Sequence, residues 1–175
     1  GVPYLTFPWE NGLSAEQMYA YYQEREFADW THQLSKAPML KAQHPGWEIS
    51  QTGIHAKRGV ACADCHMPYY SEGGVKFTSH WMTSPLAHIN SSCQTCHRES
   101  EEELVDNVYS NQRKVKQIRD QAEINLVRAH VEAKTAWEAG ASEADMHDIL
   151  MMIRESQWYW DYAAASHGAS FHSPV

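Results

Sequence analysis

The sequence contains four cysteines, and all of them fall in two short pairs. Cys62-Ala63-Asp64-Cys65-His66 and Cys93-Gln94-Thr95-Cys96-His97 both read Cys-x-x-Cys-His, the attachment pattern of a c-type haem. Two thiols three positions apart reach the two vinyl groups of one porphyrin from a single helical turn. The His that follows is then held beneath the ring, where it can ligate iron. Two such matches in one His-rich segment point to two covalently attached haems. A zinc module built on the same thiols is the competing chemistry. The stretch from His66 to Ser92 is longer than a zinc ribbon uses, and zinc gives no reason for His to follow both pairs. A thioredoxin-like pair lacks its βαβ setting, and disulfides stay an alternative in an oxidising compartment.

Each iron needs a sixth ligand or an open position. The remaining His are His32, His44, His55, His80, His88, His130, His147, His167 and His172, and Met39, Met82 and Met151 are thioether candidates. His/His ligation gives lower potentials than His/Met, which suits relay between haems. His55, His80, His88 and His167 lie in breaker-rich segments and are the better distal candidates. His130 and His147 fall in helical patterns near charged neighbours and read as ordinary surface or interface His. Lys41-Ala42-Gln43-His44-Pro45, taken alone, reads as a polar loop.

Composition narrows the classes of function. The chain has 175 residues with a formal net charge of −8, 43% hydrophobic and 21% charged residues, and a mean hydropathy of −0.59. One soluble domain fits this length, and no apolar run is long enough to span a membrane. No Lys/Arg-dense stripe is present to neutralise phosphates, so nucleic acid is not an expected partner. Eleven His, 7 Trp and 9 Tyr against 4 Phe suggest side chains gathered around something flat or metallic. The chain opens Gly1-Val2-Pro3-Tyr4 without Met and stops at Ser173-Pro174-Val175, so we expect a processed, nicked or partial chain.

The elements that must position these groups are mainly helical. Residues 1–13 read as an extended lead-in and turn. Ser14 through Gln17 form a capping-box pattern that starts a helix to about Gln23, with Met18, Tyr21 and Tyr22 on one face. Arg25 to Leu34 reads as a second short helix stopped by Pro38. Residues 39–98, broken by Gly and Pro, read as loops that need a covalent or metal scaffold. From Glu99 to Ala139 no Gly or Pro interrupts the spacing of Leu104, Val108, Val115, Ile118, Ala122, Leu126, Ala129, Ala133 and Trp137. That is one long helix, on the order of 60 Å, with Glu99, Glu101, Glu102 and Glu103 at its positive end. Gly140 stops it, and Ser142 with Asp145 caps a second helix through Ile149, Ile153, Trp160 and Ala164. The expectation is an α protein in one continuous domain: a loop-rich haem-packing region over 1–98, then a long antiparallel helical hairpin over 99–175, with no strand pattern.

Several segments together resemble the periplasmic pentahaem cytochrome c nitrite reductases, which form ammonium. They are Phe7-Pro8-Trp9, the run Ser35 through Pro45, Gly53-Ile54-His55, Cys62 through Pro68, Cys93 through His97, Ala129 through Lys134, and Ala165 through Gly168. The similarity runs in order over nearly the whole chain and corresponds to the family's C-terminal part. It implies a multihaem cytochrome fold, two of five haems c in this chain, and an oxidoreductase that reduces nitrite by six electrons. Cys62, Cys65 and His66 match the family's fourth haem site, and Cys93, Cys96 and His97 the fifth. His55 matches the distal ligand of the fifth haem, His167 that of the fourth, and His80 that of the second, whose own motif is not in this chain. Lys41 by its carbonyl and Gln43 by its side chain match ligands of a structural Ca²⁺, and His44 matches a substrate-contacting His.

The same resemblance implies a periplasmic homodimer joined through its long helices, with a membrane-anchored quinol-oxidising cytochrome c as electron donor. The family's catalytic haem uses Cys-x-x-Cys-Lys, which does not occur here, so that haem and the remaining Ca²⁺ ligands are expected upstream of Gly1. Taken strictly by its own residues, the chain has a rival reading as a non-catalytic multihaem electron-transfer cytochrome.

Overall fold

The structure, a computed structural model, describes residues 7–173, so residues 1–6 of the expected lead-in lie outside the described residues. Helices dominate: α1 (Ala15–Glu24), α2 (Gly46–Thr52), α3 (Ile54–Lys57), α4 (Cys62–His66), α5 (Glu101–Glu138), α6 (Glu143–Ala165) and α7 (Ala169–His172). Capping boxes at Ser14, Ser100 and Ser142 start α1, α5 and α6, each pairing the hydroxyl with a backbone N–H one turn on. Gly140, with φ of 90°, makes the left-handed turn that folds α6 back along α5.

Two expectations about the loop-rich region are corrected. Arg25–Leu34 is not a helix. It forms a turn and β1 (Trp30–Thr31), which pairs antiparallel with β2 (Pro38–Met39). Local propensity lost there to distant partners. The Arg154 guanidinium of α6 donates to the carbonyls of Phe27 and Pro38, at 2.6 and 2.8 Å. The Trp137 indole of α5 donates to the Ser35 carbonyl at 2.7 Å. A second hairpin joins β3 (Tyr69–Glu72) to β4 (Val75–Thr78). Its two-residue turn, Gly73-Gly74, has φ of 57° and 80°, the left-handed pair that a tight hairpin needs.

Residues 37–42 thread between the helices with strand alternation. Ala37 and Met39 enter one apolar cluster with Ala133, Met146 and Ile153. Leu40 and Ala42 enter the other, with Met18, Tyr19, Ile49, Trp158 and Tyr162. Tyr19, rather than the expected Tyr21, is the buried tyrosine of α1. On α6, burial falls on Met146, Ile153, Arg154, Trp158 and Tyr162, whereas Ile149 is exposed.

The hairpin is unequal, with 38 residues in α5 against 23 in α6. Buried α5 residues are Leu126, His130 and Ala133, while Ile118, Ile124, Val127 and Val131 are exposed. No helix among the described residues is long and apolar enough to cross a membrane.

Candidate functional site

The first Cys-x-x-Cys-His motif is itself a helical turn, α4. The Ala61 N–H donates to Asp64 Oδ2 at 2.7 Å, which fixes its start. Cys62 is exposed and Cys65 half-buried. Three positions apart, they share a face. His66 Nδ1 lies 3.3 Å from the Thr83 carbonyl. Donation from Nδ1 to that oxygen selects the tautomer whose Nε2 is free to ligate. The second motif closes one turn by the bond from His97 N to Cys93 O at 2.9 Å. His97 Nδ1 is 3.5 Å from Glu99 Oε2. The Glu99 carboxyl is held low by the N–H groups of Glu99 and Arg98, with His97 adding to them. The Ser92 hydroxyl donates to the Cys65 carbonyl at 3.0 Å and docks one motif on the other.

All four cysteines are free thiols, which leaves them open to thioether attachment. Burial first, then the neighbouring Cys93 and other acidic groups, pushes the Cys65 thiol up, and burial raises Cys93. A redox pair of the thioredoxin kind needs the reverse shift. Among the described residues, no group of three or more His, Cys, Asp or Glu converges as a metal site.

Across from each motif His stands a second imidazole. His55 faces His97 with ring centres 6.2 Å apart and planes at 67°. His172 faces His66 at 6.2 Å and 68°. Two imidazoles sharing one metal ion through N–metal bonds of about 2 Å place their ring centres roughly 6 Å apart, so both gaps fit a bis-histidine iron. The imidazole that the fold brings beside His66 is that of His172, whereas the expected His167 lies elsewhere. His167 is exposed and lines a groove against Gln112, Val115, Lys116 and Arg119 of α5. The physical reason is α7, which turns the chain once more after Gly168 and presents its last residue inward.

Two glycines seat His172. A Cβ on Gly53 would stand 1.8 Å from the His172 carbonyl oxygen, and one on Gly168 would stand 2.3 Å from the His172 ring. The Thr52 hydroxyl adds a 2.8 Å bond to Ser173 Oγ. Burial, then the neighbouring His66 and His55, holds His172 below the usual imidazole range, and its buried Nδ1 has no hydrogen-bond partner. A neutral ring is the ligating form.

The third group is the Lys41–His44 segment. Asp29 Oδ2 accepts from Lys41 N at 2.8 Å, and Asp161 Oδ2 accepts from Ala42 N at 2.7 Å. Lys41, Gln43 and His44 are exposed. His44 has a φ of 54°, a left-handed conformation that a non-glycine residue keeps only under constraint from its surroundings. Lys41 O and Gln43 Oε1 suit Ca²⁺ as oxygen donors, though two of them fall short of the six to eight it takes. His80 is exposed, and no imidazole stands across from it among the described residues.

His130 is not a surface His. It is buried and stacks on His32 with ring centres 3.7 Å apart, and its Nδ1 is 2.9 Å from Ser35 Oγ. The partner lies nearly a hundred residues away, so only the position of His130 on the buried stripe of α5 hinted at this.

The chain is similar to known proteins over nearly its whole length. The chain is 63% identical over 171 residues to a cytochrome c-552 of Porphyromonas gingivalis, covering 98% of this chain and 34% of that protein. It is 54% identical over 170 residues to a cytochrome c-552 of Desulfotalea psychrophila, with 97% and 34% covered. It thus spans about a third of the length of the curated relatives it matches. A solved cytochrome c nitrite reductase catalytic subunit from Desulfovibrio desulfuricans, described with two calcium sites, superposes with a TM-score of 0.89 at 38% identity, over 97% of this chain and 39% of that one. The cytochrome c552 family profile matches residues 3–175, and the chain belongs to that family.

Proposed function

We propose that this chain forms part of a cytochrome c nitrite reductase that reduces nitrite to ammonium, and that it holds two electron-transfer haems. Cys62 and Cys65 carry one, with His66 and His172 on its iron. Cys93 and Cys96 carry the other, with His97 and His55. Bound haems would supply a path for single electrons between protein-held irons. The observation that carries the reading is the facing imidazole above each Cys-x-x-Cys-His turn. A haem held by such a pair of His would have no place left for substrate, so substrate chemistry belongs at a different haem, supplied by another part of the protein.

In this reading His44 serves that catalytic site. Its imidazole hydrogen-bonds a nitrite oxygen and delivers a proton as the N–O bond breaks, the role of a positioned general acid. Asp29 and Asp161 hold the backbone ahead of it, and the left-handed φ sets the direction in which its Cβ leaves the chain. Lys41 O and Gln43 Oε1 contribute to a Ca²⁺ site that stiffens the same loop and adds local positive charge for an anionic substrate. The reading extends to a periplasmic homodimer joined through the α5–α6 hairpin and supplied by a membrane-anchored quinol-oxidising cytochrome c.

The test is His44→Ala in the complete protein. Nitrite turnover should fall at least a hundredfold, within the range a positioned acid supplies, with haem content unchanged. Unchanged turnover would remove His44 from the chemistry. A second reading, a non-catalytic electron carrier, draws on the two closed bis-histidine sites. Rapid binding of nitric oxide by the intact protein would exclude it, since a carrier with both axial positions filled at every iron offers no open site.

A further inference from the structure

The distal imidazoles of the two sites meet at one short element. α7 carries His172, which faces His66, and on the preceding residue Phe171, whose ring lies 5.5 Å from that of His55 at 24°. His55 thus has His97 across its coordination gap and a near-parallel phenyl ring packed against it. The only side-chain torsions that set the plane of a His are χ1 and χ2, and the second is broad. A flat neighbour is what narrows it. Phe171 also meets the His172 ring, but edge-on, with centres 6.0 Å apart at 67°, and Gly168 against that ring and Gly53 against its carbonyl already limit it.

We infer that Phe171 is a positioning residue: its ring fixes the plane of His55 and so the angle between the two imidazoles on the haem carried by Cys93 and Cys96. This rests on the haem reading proposed above. The angle matters because it sets the electronic anisotropy of low-spin bis-histidine iron, which EPR reads directly, and because a tilted ligand binds with less overlap and alters the potential. Loss of the phenyl face would therefore change one haem and leave its neighbour as it was.

The experiment is EPR of the oxidised complete holoprotein, parent against Phe171→Met and Phe171→Tyr, with haem content measured alongside. Met retains much of the volume but has no flat face, whereas Tyr retains the face. The expected result is a shifted or broadened low-spin signal from one haem in F171M, unchanged remaining signals, and a parent-like spectrum in F171Y. An F171M spectrum equal to the parent's overturns the inference. So does a shift common to both haems or a loss of haem, which would mark a merely structural residue. If F171M does not accumulate, an F171Y spectrum unlike the parent's overturns it and a parent-like one supports it. A parent lacking any bis-histidine signal sinks the haem reading itself, which is a distinct outcome from failure of the Phe171 variants.

Discussion

Gly53→Ala puts the seating of His172 to a quantitative test. The added Cβ would stand 1.8 Å from the His172 carbonyl oxygen and 3.0 Å from its carbonyl carbon, where ordinary contact begins at 3.4 Å. Relief requires α7 to retreat by about 1.6 Å, the difference of those two distances, because backbone meets backbone and no side chain can swing aside. The gap between His66 and His172 is 6.2 Å, so a retreat of that size exceeds the slack in any N–metal bond. The expected outcome is one iron converted to high spin at unchanged haem content, since Cys62 and Cys65 are untouched. Overpacking of this kind should also lower stability by about 1–3 kcal/mol. Visible and EPR spectra of the holoprotein are the assay. Gly46→Ala is the control, because nothing lies within 4 Å of its added Cβ. A fully low-spin G53A with parental stability would refute the argument that this glycine holds the site.

Three further outcomes follow from the packing. Trp158→Ala removes a buried ring and its 2.9 Å bond to the Ala15 carbonyl, and denaturant melts should show a loss of about 3–5 kcal/mol. Arg154→Met leaves the Phe27 and Pro38 carbonyls without their donor. Each orphaned acceptor costs about 1–3 kcal/mol, and hydrogen exchange should rise across residues 27–42 before it rises in α5. The stacked pair His32 and His130 makes stability depend on pH. Burial holds both below the usual imidazole range, and His32 further lowers His130. The unfolded chain therefore binds more protons, so this contribution is intact above about pH 6.5 and declines as pH falls below it. His130→Gln should flatten that acid-side slope in thermal melts, and an unchanged slope would show that the pair does not titrate with unfolding.

Helix starts were legible because each is written in adjacent residues: Ser14 with Gln17, Ser142 with Asp145. The Gly73-Gly74 hairpin was not expected, although its Tyr-Tyr and Val-Lys-Phe-Thr flanks about a Gly-Gly turn were a signal for it. The ribbon from Phe27 to Ala42 was not legible. It is held by Trp137, Arg154 and Asp161, more than a hundred residues further on. Spacing and resemblance singled out both motif histidines and His55, and the fold brings His55 beside His97. The placement of His172 beside His66 was not readable, since it depends on the backbone of Gly53 meeting α7 across the fold.

The unequal hairpin has a mechanical consequence. α5 runs 15 residues further than α6, from 38 less 23, and at 1.5 Å per residue the overhang is about 22 Å. Its first residue, Glu101, comes four residues after His97, and α7 packs against the same helix. A rod gripped at one end magnifies small tilts: each degree at the grip swings a tip that far away by roughly 0.4 Å. The bond from the Ser92 hydroxyl to the Cys65 carbonyl and the contact of His97 with His55 restrain the second motif against that swing, so on the proposed haem reading they keep the spacing of the two haem sites.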